Sequence, residues 1–391
     1  MNNFIKNAFY NTIATFLPII VIQLLIYPTI NRYLGAEKYG LMITTFGIIT
    51  LISNACGSSL INIRLIKNND YKSLNIKGDF SSISIYLTLI GFFLSFFIFS
   101  KYINNFFGVL ITTLLTTLII LRNYIEVFFR LQLDYRSIWN SNACLLVGYL
   151  LGLLFFIKIR DWRIIFFCGY FFSLMYISIK NNCYFYEFHH TKLFSQTLIQ
   201  TLLMTLSLFI ENFFNHLDSL FLFPKLGAIS VSIYYISSLL GKMISLGISP
   251  ITSMLLSYLA KEQEFPRRLL LKILCISAIM GIIGYVIANF TASPILQILY
   301  PSLFEQALPY IKICSLTAIT YIWIIILRSF ILRFFNIYIQ IIVNILIVII
   351  YLIMSTYMTS TWKLMGFCLA ALITNLMRIA IYIGILIVNG R

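Results

Sequence analysis

The chain has 391 residues, 60% of them hydrophobic and only 10% charged, with a formal net charge of +16 and a mean hydropathy of +0.94. A water-soluble domain of this length cannot cover its surface with so few charges, and the lack of an alternating polar–apolar dyad excludes an outer-membrane barrel. The surplus of Lys and Arg sits in short gaps between apolar runs, where it orients helices and forms no basic face for nucleic acid.

Apolar runs of about 20 residues recur along the sequence, each long enough to cross about 30 Å of hydrocarbon as a helix. They predict an all-α polytopic membrane protein with about twelve transmembrane helices, at 10–30, 39–62, 81–100, 107–128, 138–157, 164–180, 196–223, 228–257, 269–291, 308–330, 338–358 and 365–388. Met1 to Asn11 carries no cleavable signal, so the first run is expected to be retained. In the eighth run Gly241, Gly247 and Pro250 permit a bend. With the N-terminus inside, the inner gaps hold about 14 basic residues, from Lys6 through Arg64, Lys77, Lys261 and Arg333 to Arg391, against about 8 in the outer gaps. Both termini are therefore expected on the cytoplasmic side. The seven cysteines are scattered through apolar runs without paired spacing and read as small buried hydrophobes. His189 and His190 lack the Cys or carboxylate company of a metal site, so neither a metal nor a cofactor is expected.

Two short matches suggest an internal repeat. Leu34-Gly35-Ala36 after the first helix returns as Leu226-Gly227-Ala228 after the seventh, 192 positions on. Leu121-Arg122-Asn123-Tyr124-Ile125 in the fourth returns as Leu327-Arg328-Ser329-Phe330-Ile331 in the tenth, 206 positions on. Both pair helix n with helix n+6, an even step that keeps the halves in one orientation. The expected architecture is two parallel six-helix halves, 1–190 and 191–391, around a central cavity, as in transporters that rock about a midplane site.

Ionisable groups inside spans are the first functional suspects, because placing them in lipid is costly. Glu211, Asn212, Asn215, His216 and Asp218 crowd the seventh helix, with Glu211, Asn215 and Asp218 on one face. Such a stripe either lines a cavity or glues helices together. Lys242 in the eighth helix lies at a depth similar to Glu211 if the two helices form a hairpin near Lys225 to Gly227. The pair would form an intramembrane ion pair, or Lys242 would face an anionic substrate with Glu211 setting its charge state. Arg122 and Glu126 are i, i+4 partners near the inner end of the fourth helix, and Arg328 is the repeat counterpart of Arg122. Arg122 and Arg328 either snorkel and pair helices or contact substrate, whereas Arg378 in the twelfth helix is more central. Arg64 reads as a topogenic anchor. No nucleophile elbow, Gly-rich phosphate loop or Walker motif occurs, which excludes an ATP-driven pump within this chain and leaves no catalytic residue to name.

The stretch Tyr33-Leu34-Gly35-Ala36-Glu37-Lys38-Tyr39-Gly40-Leu41 resembles the Y-L-G-x-E-x-Y-G-L signature of bacterial polysaccharide-repeat flippases, the O-antigen and teichoic-type exporters of the multidrug/oligosaccharidyl-lipid/polysaccharide superfamily. Asp218, Tyr234, Tyr235, Pro250 and Ile298-Leu299-Tyr300 add weaker echoes. The resemblance implies two six-helix bundles around a cationic cavity. It also implies alternating-access transfer of an undecaprenyl-diphosphate-linked oligosaccharide, in lipopolysaccharide or related polysaccharide synthesis, to the outer leaflet of the inner membrane. It further implies membrane lipids, a polysaccharide polymerase and chain-length machinery as partners. The related lipid II flippases place arginines within helices one and two; here Arg32 and Arg64 stand at helix ends, leaving Lys242 as the main transferable cation. A drug or organic-cation antiporter of the same superfamily is the alternative. A membrane polymerase fits less well, since it needs a large outer catalytic loop and the longest gap here, 63–80, is expected inside.

Overall fold

The computed structural model describes residues 16–74, 79–132, 134–180, 190–259, 267–335 and 337–388. Among these, the chain is helical throughout apart from short turns. Among the described residues nine helices are long and apolar enough to cross a membrane, and three of them run through sharp backbone breaks, at Gly35, at Gly227 and at Trp362 with Lys363. Divided at those breaks, the described chain forms twelve helices: α1 (16–34), α2 (36–73), α3 (Asp79–Tyr102), α4 (Phe106–Ile125, continued by Val127–Leu131), α5 (Tyr135–Ile159) and α6 (Arg163–Lys180) in order, then α7 (194–226), α8 (228–259), α9 (Arg267–Leu299), α10 (Phe304–Phe334), α11 (337–361) and α12 (364–388). The expected spans fall on these helices, except that residues 10–15 of the first lie outside the described residues.

Local chemistry sets the boundaries. Asn105 caps α4 by accepting from the Phe107 amide at 3.1 Å. Asp134 caps α5, accepting from the Ser137 amide at 3.1 Å, which satisfies one orphan donor of the helix start, and from the Ser137 hydroxyl at 2.6 Å. The α5 helix closes on Arg160 in the left-handed conformation, at φ 63°. Within α1, a π-type turn at Ile22–Ile26 runs directly into Pro28, the kind of irregularity that redirects a helix.

The chain divides into two compact units, Met1–Lys225 and Leu226–Arg391. In the first, Leu51, Ile52, Leu60, Ile83, Ile120 and Phe129 belong to one buried core, with Leu198, Met204 and Leu220 of α7 packed against it. The α5–α6 pair is held unusually close. A Cβ on Gly148 would stand 2.6 Å from the Cys168 carbonyl oxygen, and one on Gly152 would stand 2.6 Å from Ile165 Cα. This is a small-xxx-small face, which in lipid substitutes close van der Waals contact for a hydrophobic drive that lipid does not supply. In the second unit, Ile324, Leu327, Phe330, Val343, Ile347 and Tyr382 belong to a core that joins α10, α11 and α12.

Candidate substrate and coupling site

In the first unit, Arg122 is held from four directions. Its guanidinium meets Glu126 at 2.9 Å and donates to Ser173 at 3.2 Å, to Asn123 at 3.3 Å and to Asn142 at 2.8 Å. Glu126 is also paired with Arg130 at 2.9 Å, and Ser141 and Ser173 share a hydrogen bond at 2.8 Å. Asn123 extends the network to Asn54 of α2 at 3.4 Å. Arg122 therefore clamps α4 to α5 and α6, and most of its five N–H groups are already committed.

The polar stripe of α7 resolves into different roles. His216 Nε2 lies 3.1 Å from the Thr50 hydroxyl of α2, beside Gly47, where a Cβ would come within 3.3 Å of the imidazole. Further links, from Thr205 to Ser59 at 2.7 Å and between Thr197 and Tyr71 at 2.9 Å, extend a helix-gluing seam between α7 and α2. Asn212 turns back on its own helix, donating to the Leu208 carbonyl at 2.8 Å. Glu211 is exposed and Asp218 half-buried. The side chain of Asn215, like His189 and the surrounding 181–189, lies outside the described residues.

Arg64, expected as a topogenic anchor, and Asp79, which the sequence did not single out, are both tightly built. Arg64 donates to the Tyr124 hydroxyl at 2.6 Å, and its guanidinium lies 5.1 Å from the Phe80 ring and 4.4 Å from the Phe128 ring. It is an aromatic-caged joint between α2, α3 and α4 as well as a charge at a helix end. Asp79 is fully buried at the start of α3. It accepts from the Tyr71 hydroxyl at 2.8 Å, from the Thr191 amide at 2.8 Å and from the Thr191 hydroxyl. The only local signal for Asp79 was an acid at a helix start; its partner Thr191 is 112 positions away.

In the second unit, Lys242 is exposed on α8, its ammonium 5.0 Å from the Tyr235 ring and 5.5 Å from the Tyr234 ring. Arg378 of α12 donates to Asn344 of α11 at 2.6 Å and to the Tyr382 hydroxyl at 3.1 Å. Arg328 is half-buried in α10. Asn142 on α5 and Asn344 on α11, helices six apart in order, each accept an arginine N–H, from α4 in one unit and from α12 in the other. Among the described residues of this unit the only carboxylate is Glu305, in the first turn of α10. Glu211 belongs to the first unit and Lys242 to the second.

No protein-family model and no curated protein matches the sequence. Solved structures do. An inward-facing multidrug resistance MATE family transporter of the MOP superfamily aligns with TM-score 0.70 over 95% of this chain and 96% of that one, at 11% identity. A MATE protein in the bent conformation aligns with TM-score 0.63 over 97% and 92%, at 10% identity. A variant of the Vibrio cholerae MATE transporter VcmN aligns with TM-score 0.60 over 98% and 96%, at 12% identity. The chain is similar to these transporters in fold along nearly its whole length.

Proposed function

We propose that the protein is an alternating-access membrane transporter whose cargo is an anionic, lipid-linked oligosaccharide, carried from the inner to the outer leaflet of a bacterial cytoplasmic membrane. One observation carries the choice of cargo: the described membrane segments of the second unit hold six cations, Lys242, Lys272, Lys312, Arg328, Lys363 and Arg378, against one carboxylate, Glu305 at a helix start. A diphosphate headgroup cannot cross hydrocarbon unaided, and basic side chains offset its lost hydration. The Tyr33-to-Leu41 signature points to the same cargo, and the lipid tail remains in the bilayer.

The solved neighbours favour a second reading. One of them is described as a multidrug resistance transporter and the others as MATE proteins, so on the comparisons alone a drug or organic-cation antiporter has the better support. Such a cargo calls for acidic side chains along its path, and among the described residues the second unit offers one, Glu305 at a helix start.

Reconstitution into proteoliposomes decides between the two. The flippase reading expects protein-dependent transfer of a fluorescent undecaprenyl-diphosphate-linked oligosaccharide between leaflets, reduced in Lys242→Ala, and no uptake of tetraphenylphosphonium or ethidium. Cation uptake without lipid transfer overturns it in favour of the antiporter.

A further inference from the structure

In a membrane interior a lysine or arginine is expected to sit against a carboxylate, as Arg122 of the first unit does. Lys242 and Arg378 are held otherwise: among the described residues, neither takes part in an ion pair. Each rests on tyrosine instead. The Lys242 ammonium is 5.0 Å from the Tyr235 ring and 5.5 Å from the Tyr234 ring, and the Arg378 guanidinium is 5.4 Å from the Tyr382 ring.

The helix produces this arrangement. Side chains lean towards a helix N-terminus, so Lys242 reaches back two turns to the residues at i−7 and i−8. Tyr234 is buried and braced edge-on by Phe367 at 5.1 Å and 82°, and Phe367 meets Tyr351 at 6.0 Å. Tyr235 is half-buried and Lys242 exposed. The tyrosine pair is thus anchored in the core while the charge it holds stays accessible.

We propose that Tyr235, backed by Tyr234, is a positioning residue that holds the Lys242 ammonium on its ring, in place for an anionic diphosphate headgroup to bind it there, which makes it a determinant of cargo affinity. This rests on the anionic-cargo reading above. A ring quadrupole attracts a cation without neutralising it. The parked ammonium keeps its whole charge for an incoming phosphate, whereas a carboxylate partner would cancel that charge and have to be displaced. Arg378, held by Tyr382 and the neutral Asn344, follows the same rule. Arg122, committed to Glu126, does not.

Binding of undecaprenyl diphosphate to the purified full chain in nanodiscs of neutral lipid tests this. Lys242→Ala is expected to weaken binding about tenfold or more and Tyr235→Leu about fivefold, while Tyr235→Phe, which keeps the ring, matches wild type. The double variant Lys242→Ala/Tyr235→Leu should bind no more weakly than Lys242→Ala alone, because Tyr235 acts only through the ammonium. Wild type that fails to bind overturns the cargo reading. Wild type that binds while Tyr235→Leu is unchanged, or a double variant weaker than Lys242→Ala, overturns the cradle and leaves the cargo reading standing. The parking is also read without cargo: the NMR signal of methylated Lys242 should be shifted upfield by the ring in wild type and Tyr235→Phe and relax in Tyr235→Leu. An unshifted wild-type signal overturns the cradle. If Tyr235→Leu does not fold, Tyr235→Met takes its place in every arm.

Discussion

Gly35 and Gly227, 192 positions apart, share one backbone conformation: φ 80° and ψ 172° at the first, φ 81° and ψ 175° at the second. Only glycine occupies that region without strain. A Cβ at either position would meet nothing within 4 Å, so the requirement is conformational and not steric. Each glycine lets two long helices, α1 and α2 or α7 and α8, join without a loop. Gly35→Ala and Gly227→Ala are each expected to cost about 1–3 kcal/mol, seen as a lower unfolding temperature in detergent. Gly384→Ala, in the interior of α12 with equally open surroundings, should be neutral or stabilise slightly. Equal shifts at all three positions would show that the backbone conformation is not the cause.

Arg122 and Lys242 carry the same charge but are expected to fail differently. The Arg122–Glu126 pair is buried, with side-chain exposures of 11% and 6%, and breaking such a pair costs about 3–5 kcal/mol. Because Glu126 keeps Arg130 as a partner, Arg122→Ala should fall at the lower end of that range, and its main effect should be on thermal stability. Lys242→Ala removes an exposed side chain, so stability should hold while cargo transfer falls. Thermal unfolding and transfer measured on the same two preparations check this. A stable Arg122→Ala protein that has lost transfer would make Arg122 a substrate contact.

This difference shows what the sequence made legible. Hydropathy marked all twelve helices because a span must be apolar for some twenty residues whatever it packs against. The repeat was readable at Gly35 and Gly227 because a forbidden backbone conformation leaves only one residue choice. Candidate charges were readable as well, since any charge in a span stands out. Their roles were not. Whether Arg122 is spent on Glu126, Asn142 and Ser173 depends on which faces of α4, α5 and α6 meet, and i, i+4 spacing reports only the first of those partners. Arg64 looked like an anchor because aromatic partners at Phe80, Tyr124 and Phe128 are lost among 35 phenylalanines and 25 tyrosines.

Asp79 fastens the segment that leads into α7. Thr191 binds its carboxylate through both amide and hydroxyl, and Tyr71 bridges the same carboxylate to Thr197 at 2.9 Å. Asp79→Ala removes the acceptor for the half-buried Thr191 amide and hydroxyl and leaves the buried Tyr71 hydroxyl with Thr197 alone, and polar groups left unpaired in this way cost free energy. The expected outcome is release of the segment, with trypsin cutting at Lys192 faster than in wild type when the inner face is accessible. Asp79→Asn keeps an acceptor for the Thr191 amide and should fall between the two. Cleavage rates identical in all three proteins would sink the fastening role.

The coupling acid is narrowed by what the other carboxylates already do. Glu126 is neutralised between Arg122 and Arg130. Asp79 is sealed from solvent by hydroxyls and an amide. With Glu37, Asp70 and Glu305 set aside at helix ends, the described helices leave Glu211, which is exposed, and Asp218, which is half-buried. A carboxylate that exchanges protons during a transport cycle must be reachable by water in at least one state, which favours Glu211. In proteoliposomes with an imposed proton gradient, Glu211→Gln is expected to remove most of the gradient's stimulation while leaving undecaprenyl diphosphate binding intact, and Asp218→Asn should have a smaller effect. Stimulation that survives both substitutions would assign the driving force to membrane potential acting on the cations of the second unit.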